Sequence, residues 1–304
     1  MNNHRPNTVV LATSVAFMLI IWTINFIVGK IALRHLPALT LVSFRLVLAA
    51  IVMTAIYVVT PPRRPRLDKG DGLIFIILGI VGVVLNQGGF TYGLNFTTVG
   101  HSAIIIAIAP VIVLLLARFS GLELISRRKA FGIALCFAGA IFLATENGVT
   151  SFGATTIKGD LVTLQSVFAY SIFVVLAKKV AHKYDTVTMN FFNFAVAGLA
   201  LLPLAIHEAI HLDWRLVGWA GWAGLAYMSV LASVTAYMIY YWALRHMEAS
   251  RLAATTYIEP VLVLILGFFI LGERLTMHVA IGGALVLAGV YITERHSKSE
   301  PEPA

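Results

Sequence analysis

The chain is dominated by apolar runs of about twenty residues that carry almost no charge. A helix of this length matches the roughly 30 Å hydrocarbon core of a lipid bilayer. Only 12% of the 304 residues are charged, against roughly 25% in soluble domains. We therefore predict an integral membrane protein. The predicted spans are 9–29, 38–59, 72–93, 99–118, 129–145, 160–177, 187–206, 216–243, 250–271 and 277–293.

All ten runs are predicted to be helical, because lipid offers no hydrogen-bond partner to an unpaired backbone group. The other architecture that satisfies the backbone in lipid is a closed β-barrel, whose strands alternate apolar and polar residues over about ten positions. The runs of this chain are apolar throughout. The expected fold class is thus an all-α integral membrane protein with ten transmembrane helices.

Basic residues are divided unevenly between the two sets of loops that ten spans create. Of the 22 Lys and Arg residues, 16 flank the side that holds both termini and five lie on the opposite side, with Arg45 inside a span. Loops rich in Lys and Arg remain in the cytoplasm. We predict a multi-pass protein of the cell (inner) membrane with cytoplasmic N- and C-termini. The net charge of +8 then reflects topology, and no nucleic-acid partner is expected.

The two halves of the chain repeat each other at an offset of about 150 residues. Residues 110–139 read PVIVLLLARFSGLELISRRKAFGIALCFAG and residues 260–289 read PVLVLILGFFILGERLTMHVAIGGALVLAG, with 13 of 30 positions identical. Shared Val, Leu and Ala follow from membrane composition, but shared Pro, Glu and Gly do not. The informative pairs are Pro110/Pro260, Glu123/Glu273, Gly132/Gly282 and Gly139/Gly289, and an upstream offset of 148 aligns Lys30 with Lys178 and Arg45 with Asn193.

Each repeat contains five predicted spans, and an odd number requires the second repeat to enter the membrane upside down. We predict one five-helix repeat over 9–145, an inverted five-helix repeat over 159–293 and a cytoplasmic tail over 294–304. Inverted repeats in carriers surround a substrate site near the bilayer midplane and rock about it to give alternating access. The pattern therefore favours a secondary transporter of small molecules.

Several segments also resemble a known family. The EPVLVLILGFFILGERLT and IGGALVLAGV segments, the APV of the fourth span and the RLVLAA of the second span are similar to those of the drug/metabolite transporter superfamily, specifically EamA-type permeases. The resemblance covers residues 9–293 and is weaker in the first half, which has SGLELI in place of LGERL. It implies a ten-helix inner-membrane carrier, often an exporter of amino acids or other small metabolites.

The spans contain polar and aromatic side chains that are candidates for lining a cavity. Neutral hydrogen-bonding groups and aromatic rings suit small amphipathic solutes, although Trp and Tyr also populate the membrane interface. The cavity candidates are Trp22, Asn25, Asn86, Gln87, Tyr92, Tyr170, Tyr237, Trp242 and Tyr257.

Two charged residues inside predicted spans are candidates for coupling or gating. Glu259 is the acidic residue well within a span, where a charge costs about 2.5–3.5 kcal/mol on insertion scales. It either responds to protons, binds a substrate amine or serves as a structural carboxyl. Arg45 either snorkels outward or forms a fork to a carboxylate, with a structural or gating role favoured over direct contact with substrate. Protons or a counter-substrate are the expected coupling partners.

Pro110 and Pro260 occupy matching positions in the two halves. Each proline lacks an N–H and leaves the carbonyl four residues earlier without its helical donor. Paired interruptions in corresponding spans indicate the binding site of a transporter. We interpret these prolines as hinges beside the cavity, and packing kinks are the alternative.

The HEAIH segment at 207–211 spells the H-E-x-x-H pattern of helical zinc sites. A membrane-bound zinc metalloprotease is therefore an alternative function, but it needs a third ligand, and Asp213 lies off the His207/His211 face. We expect no catalytic site, metal or cofactor. The P-loop pattern of ATP-driven pumps does not occur in the chain. A channel and a non-transporting scaffold are the remaining alternatives.

Overall fold

The computed structural model describes residues 8–60, 68, 70–119, 127–144, 155–246, 252 and 255–295. Glu123 and nearly all of the predicted tail 294–304 lie outside these ranges. Every regular element within the described ranges is helical. The α-helices are α1 (Thr8–Ala32), α2 (Ala38–Val59), α3 (Asp71–Ile77), α4 (Gly89–Leu94), α5 (Val99–Ile106), α6 (Ala109–Phe119), α7 (Arg127–Ala144), α8 (Thr155–Val180), α9 (Thr186–His211), α10 (Trp219–Ala226), α11 (Ala236–His246), α12 (Glu259–Leu266) and α13 (Met277–Arg295).

The apolar helices make this chain a multi-pass membrane protein. Within the described residues, six helical segments are long and apolar enough to cross a bilayer, and shorter apolar helices follow them in both halves. The six are Thr8–Ala32, Ala38–Val59, Asp71–Leu94, Thr156–Lys178, Thr186–His211 and Trp219–His246. Their outward faces carry large apolar side chains, as expected of surfaces in contact with lipid.

Two of the long segments contain a stretch of π-helix. Leu78–Gly88 joins α3 to α4, and Tyr227–Thr235 joins α10 to α11. A π-helix pairs residues five apart, is rare in proteins and frequently occurs at functional sites. The two stretches occupy nearly the same place in the two halves of the sequence, and each one delivers polar side chains to the centre of the molecule.

Helical structure is also interrupted before each of the paired prolines. Ala107 and Ile108 form a turn between α5 and α6, and a 3-10 turn at Thr256–Ile258 precedes α12. Pro110 and Pro260 therefore lie in the first turn of a new helix, where a missing N–H removes no helical hydrogen bond. Both prolines are buried.

Helices α7 and α13 pack through glycines that are related by the 150-residue offset. A Cβ atom added to Gly139 would lie 2.8 Å from the carbonyl oxygen of Gly282, and one added to Gly289 would lie 2.5 Å from that of Gly132. Small residues of this kind let helix backbones approach closely in lipid. The Cys136 thiol completes the contact by donating to the Val286 carbonyl at 3.4 Å.

Helix α9 is longer than the predicted span 187–206. It begins at Thr186 and continues past Pro203 to His211, so HEAIH is helical. The following span begins at Trp219, later than the predicted residue 216, because Asp213 accepts from the Arg215 N–H at 3.1 Å and caps a separate 3-10 turn over Trp214–Leu216.

Candidate functional site

A cavity of about 100 Å³ lies between the two halves of the chain. Side chains from α1, α2, the first π-helix, α4, α8, α11 and the start of α12 surround it. Its described lining residues are Trp22, Asn25, Phe26, Arg45, Asn86, Gln87, Phe90, Ile106, Ala109, Ser166, Val167, Tyr170, Tyr237, Thr256 and Glu259. The residues just before the two prolines, Ala109 and Glu259, both contribute to this wall.

Arg45 is the basic group of the cavity, and it is only 3% exposed. Its Nε donates to Ser233 Oγ at 3.0 Å, Nη1 to Thr91 Oγ1 at 2.9 Å and Nη2 to Gln87 Oε1 at 3.2 Å. These acceptors are all neutral, and none of them neutralises the guanidinium charge. The hydrogen bonds hold the guanidinium in the interior instead of letting it snorkel to the membrane surface.

Gln87 links this network across the two halves. The Ser233 hydroxyl, from the second π-helix, donates to Gln87 Oε1 at 2.7 Å, so the amide oxygen accepts from both Ser233 and Arg45. The amide nitrogen of Gln87 is buried and has no partner among the described residues. A buried donor without an acceptor loses about 1–3 kcal/mol relative to a satisfied one. It is therefore available to a solute in the cavity.

Glu259 is the acidic group of the same cavity and is 4% exposed. Its Oε1 atom is buried without a hydrogen-bond partner in the described part of the chain, and the same holds for Oδ1 of Asn25. Both atoms accept hydrogen bonds, so the wall near α1 and α12 can accept hydrogen bonds from a bound ammonium or hydroxyl group. Arg45 can only donate.

Aromatic rings form one wall of the cavity. The rings of Trp22 and Tyr237 meet edge to face with centroids 5.6 Å apart. The Tyr237 hydroxyl donates to Asn86 Oδ1 at 3.3 Å, and the Asn86 amide donates to the Ser166 carbonyl at 3.2 Å. Tyr170 also lines the cavity. These contacts fix flat apolar surfaces beside the charged groups.

The structure brings most of the predicted site residues together, but not all of them. Tyr92 lies beside Phe96, with ring centroids 5.1 Å apart, and near Lys158. Trp242 packs against His246 with centroids 5.0 Å apart. Neither residue is among those that line this cavity. The side chain of Tyr257 lies outside the described part of the structure.

Ser233 and Thr91 hold Arg45 but were absent from the sequence-based candidates. Both are small hydroxyl residues in apolar helices, where such side chains usually bond the carbonyl four residues earlier. Thr91 does so as well, donating to the Gln87 carbonyl at 2.9 Å. The repeat gives no signal for Ser233, because at the 150-residue offset it aligns with Val83.

The HEAIH residues adopt a geometry unlike that of a zinc site. His211 Nδ1 lies 2.7 Å from the carbonyl oxygen of His207, and Glu208 accepts from the Thr40 hydroxyl. Among the described residues, no third His, Cys, Asp or Glu forms a group with the pair that could hold a metal ion. The segment instead ends α9 and connects it to α2.

Both halves of the chain match a known protein family. The profile of the EamA-like transporter family matches residues 10–145 and 157–295. The chain belongs to the EamA-like transporter family. Both halves match separately, so the shared Pro, Glu and Gly positions fall within two copies of the family's unit.

Relatives of this EamA-like transporter cover nearly its whole length. An uncharacterized transporter of Archaeoglobus fulgidus is 29% identical over 91% of this chain and 95% of its own. The uncharacterized transporter YoaV of Bacillus subtilis is 22% identical over 90% of this chain and 92% of its own. A probable amino-acid metabolite efflux pump of Salmonella typhimurium is 26% identical over 90% of this chain and 91% of its own.

A solved crystal structure shares the fold of this EamA-like transporter. It superposes on 96% of this chain and 100% of its own with a TM-score of 0.66, at 16% sequence identity. At that level of identity, the similarity shows a shared fold and nothing about function.

Proposed function

We propose that this protein is a secondary transporter that exports small metabolites, with zwitterions such as amino acids as the leading class. In this proposal the chain crosses the inner membrane ten times, as two inverted five-helix repeats over 9–145 and 159–293. Alternating access arises when the repeats rock around the central cavity. The paired π-helices, the paired interruptions before Pro110 and Pro260 and the reciprocal glycine contacts of α7 and α13 support it.

The observation that carries the proposal is that a basic group and an acidic group line the same cavity. Arg45 offers hydrogen-bond donors suited to a carboxylate, while Glu259 offers a buried oxygen without a partner. A zwitterion presents the complementary carboxylate and ammonium groups. Trp22, Tyr170 and Tyr237 give an apolar wall for the remainder of the solute. The Salmonella relative, a probable amino-acid metabolite efflux pump, agrees with this class.

The size of the cavity limits what the described conformation can hold. An apolar cavity of about 150 Å³ accommodates benzene, whereas this one measures about 100 Å³. The conformation thus fits a solute of a few heavy atoms or a group of water molecules. Larger side chains require the cavity to widen, and the helix breaks beside Ala109 and Glu259 are suited to that movement.

The proposal also covers the orientation of the chain in the membrane and the coupling of solute transport to protons. The distribution of Lys and Arg favours cytoplasmic termini. Glu259 is the proposed coupling group, because its carboxyl can bind either a proton or the ammonium of the solute. Competition for one carboxyl would exchange protons for solute, and a counter-substrate with an ammonium group could act in the same way.

The proposal is tested by counterflow into liposomes that contain the purified protein. Preloading with unlabelled amino acids should drive saturable uptake of a labelled amino acid. Glu259→Gln should abolish the dependence of uptake on an imposed pH gradient while the protein still elutes as a single species. Unchanged pH-dependent uptake in this variant would remove Glu259 as the coupling group.

Glu208→Gln is the matched control, because it neutralises an acidic residue on another helix outside the cavity. It also removes the carboxylate that the metalloprotease alternative requires. Uptake in this variant should equal that of the parent. Uptake that never saturates would favour a channel, and complete absence of uptake for a broad panel of metabolites would favour a scaffold.

A further inference from the structure

Lys30 ties the end of α1 to the turn that follows α4. Its ammonium donates to the carbonyl oxygens of Leu94 at 2.8 Å and Thr97 at 2.6 Å. Carbonyls at the end of a helix lack intrahelical donors, and a cation there is favoured by the helix dipole. The lysine side chain is half-buried. This contact closes the gap between α1 and the connection from α4 to α5.

The same turn is held by carboxylates from the second half of the chain. Glu273 accepts from the backbone N–H groups of Val99 at 2.9 Å and Gly100 at 3.3 Å. Asp160 accepts from the Thr97 hydroxyl at 2.5 Å, and one of its oxygens lies 3.0 Å from His101 Nδ1. Lys30, Asp160 and Glu273 therefore all contact residues 94–101.

The opposite end of the molecule contains a weaker copy of the lysine contact. Lys178 aligns with Lys30 at the 148-residue offset, and Leu244 aligns with Leu94 at the 150-residue offset. The Lys178 ammonium donates to the Leu244 carbonyl, but at 3.4 Å. Its side chain is exposed, unlike that of Lys30. Charge-assisted N–H···O bonds are normally about 2.7–2.9 Å long, so this contact is stretched.

An ion pair also lies at the Lys178 end. Lys183 donates to Asp71 at 3.0 Å, and this hydrogen bond raises the pKa of the Lys183 ammonium above its ordinary value. It joins the turn after α8 to the start of α3. The aligned turn at the other end is also in contact, because a Cβ atom on Gly218 would lie 3.2 Å from the His35 ring. The Lys178 end therefore has an ion pair beside its long lysine contact, and the aligned turn at the Lys30 end has a van der Waals contact instead.

We propose that Lys30 and Lys178 are reciprocal gate latches of the transport cycle, an inference that rests on the proposed alternating access. In the described conformation Lys30 closes its own end of the cavity, while the Lys178 contact is loose. When the repeats rock, Lys30 leaves the carbonyls of Leu94 and Thr97, and Lys178 moves onto the carbonyl of Leu244. Lys30 and Lys178 position helices and do not touch the solute.

The proposal is tested by the accessibility of one cysteine in the cavity wall. Cys136→Ala removes the single native cysteine, and Ala109→Cys places a reporter in the lining. A membrane-impermeant maleimide is applied to vesicles of each orientation. With Lys30→Met, labelling from the Lys30 face should rise about tenfold, since losing a charge-assisted hydrogen bond shifts an equilibrium by at least that factor. Labelling from the Lys178 face should fall.

Lys178→Met should shift labelling in the opposite direction, and Lys30→Arg should stay close to the parent because it keeps the cation. Lys158→Met is the matched control, since Lys158 is an exposed lysine at the same end, 4.2 Å from the centroid of the Phe96 ring. It should leave labelling from both faces unchanged. Equal labelling in parent and Lys30→Met, or a rise from both faces, overturns the latch.

If Lys30→Met does not reconstitute, the shift required of Lys178→Met decides the question alone. The assay needs no solute, so it separates the latch from the proposed function. Opposite shifts without counterflow would support the latches and reject amino acids as cargo. Normal counterflow without opposite shifts would support transport and reject the latches.

Discussion

Arg45 is the residue through which the proposed function connects the structure of this cavity to specificity. A guanidinium in a bilayer needs several hydrogen-bond acceptors, and Ser233, Thr91 and Gln87 provide them from three helical segments. These acceptors carry no charge, so the positive charge remains available to an anionic group. Arginine suits this task because its planar fork matches a carboxylate in two places.

Replacing Arg45 by Met should therefore weaken recognition of the solute carboxylate. We expect the transport of a zwitterion to fall by about tenfold or more, because a hydrogen bond to a charged group contributes about 1.5–3 kcal/mol. Transport of the corresponding amine without a carboxylate should change little. Parallel counterflow measurements with the two solutes make the comparison, and Arg45→Lys should recover only part of the difference.

An equal loss for both solutes would contradict this role and assign Arg45 to structure alone. Arg215→Met is the matched control, because Arg215 is an exposed basic residue in the short 3-10 turn Trp214–Leu216. It should transport both solutes as the parent does.

The sequence was sufficient to find Arg45 and Glu259, because charges within apolar spans are costly and conspicuous. It was not sufficient to find Ser233, whose role depends on the second π-helix bringing its hydroxyl to Gln87 and Arg45. It also assigned Tyr92 to the cavity, although α4 turns that ring toward Phe96. Crossing angles and π-helical register depend on packing between distant segments, and a local pattern does not encode them.

At the scale of helices, the contact between α7 and α13 is specified by glycines. The sequence repeat pairs these glycines, and in the structure Gly139 and Gly289 lie where the two helix backbones approach closely. Pro110 and Pro260 gave a similar local signal, and helices do begin at both. The π-helices had no such signal, because no residue type marks them.

Gly289→Ala should destabilise the protein, since the new Cβ would lie 2.5 Å from the Gly132 carbonyl oxygen and 2.7 Å from the Cys136 nitrogen. Backbone atoms at these distances must move, and overpacking of this kind costs about 1–3 kcal/mol. A thermal melt in detergent should show a lower Tm. Gly72→Ala is the control, because nothing lies within 4 Å of its added Cβ. An unchanged Tm for Gly289→Ala would mean that the two helices separate easily.

At the scale of the whole molecule, the repeated features relate the two ends of the bundle. Turns at 33–36 and 181–184 have the same local structure and are separated by 148 residues. Helix α9 follows the second turn and, at 26 residues, extends about 39 Å at 1.5 Å per residue. A helix of that length reaches from one membrane surface to the other.

The proposed inverted arrangement predicts that residues matched by the repeat lie on opposite sides of the membrane. Arg34 and His182 are such a pair, and both are exposed. In a Cys136→Ala background, an impermeant maleimide applied to intact spheroplasts should label Arg34→Cys and spare His182→Cys. Permeabilised cells should show labelling of both. Arg215→Cys, predicted on the Arg34 side, serves as the positive control. Labelling of Arg34→Cys and His182→Cys from the same side would indicate parallel repeats, which cannot form reciprocal gates at opposite surfaces.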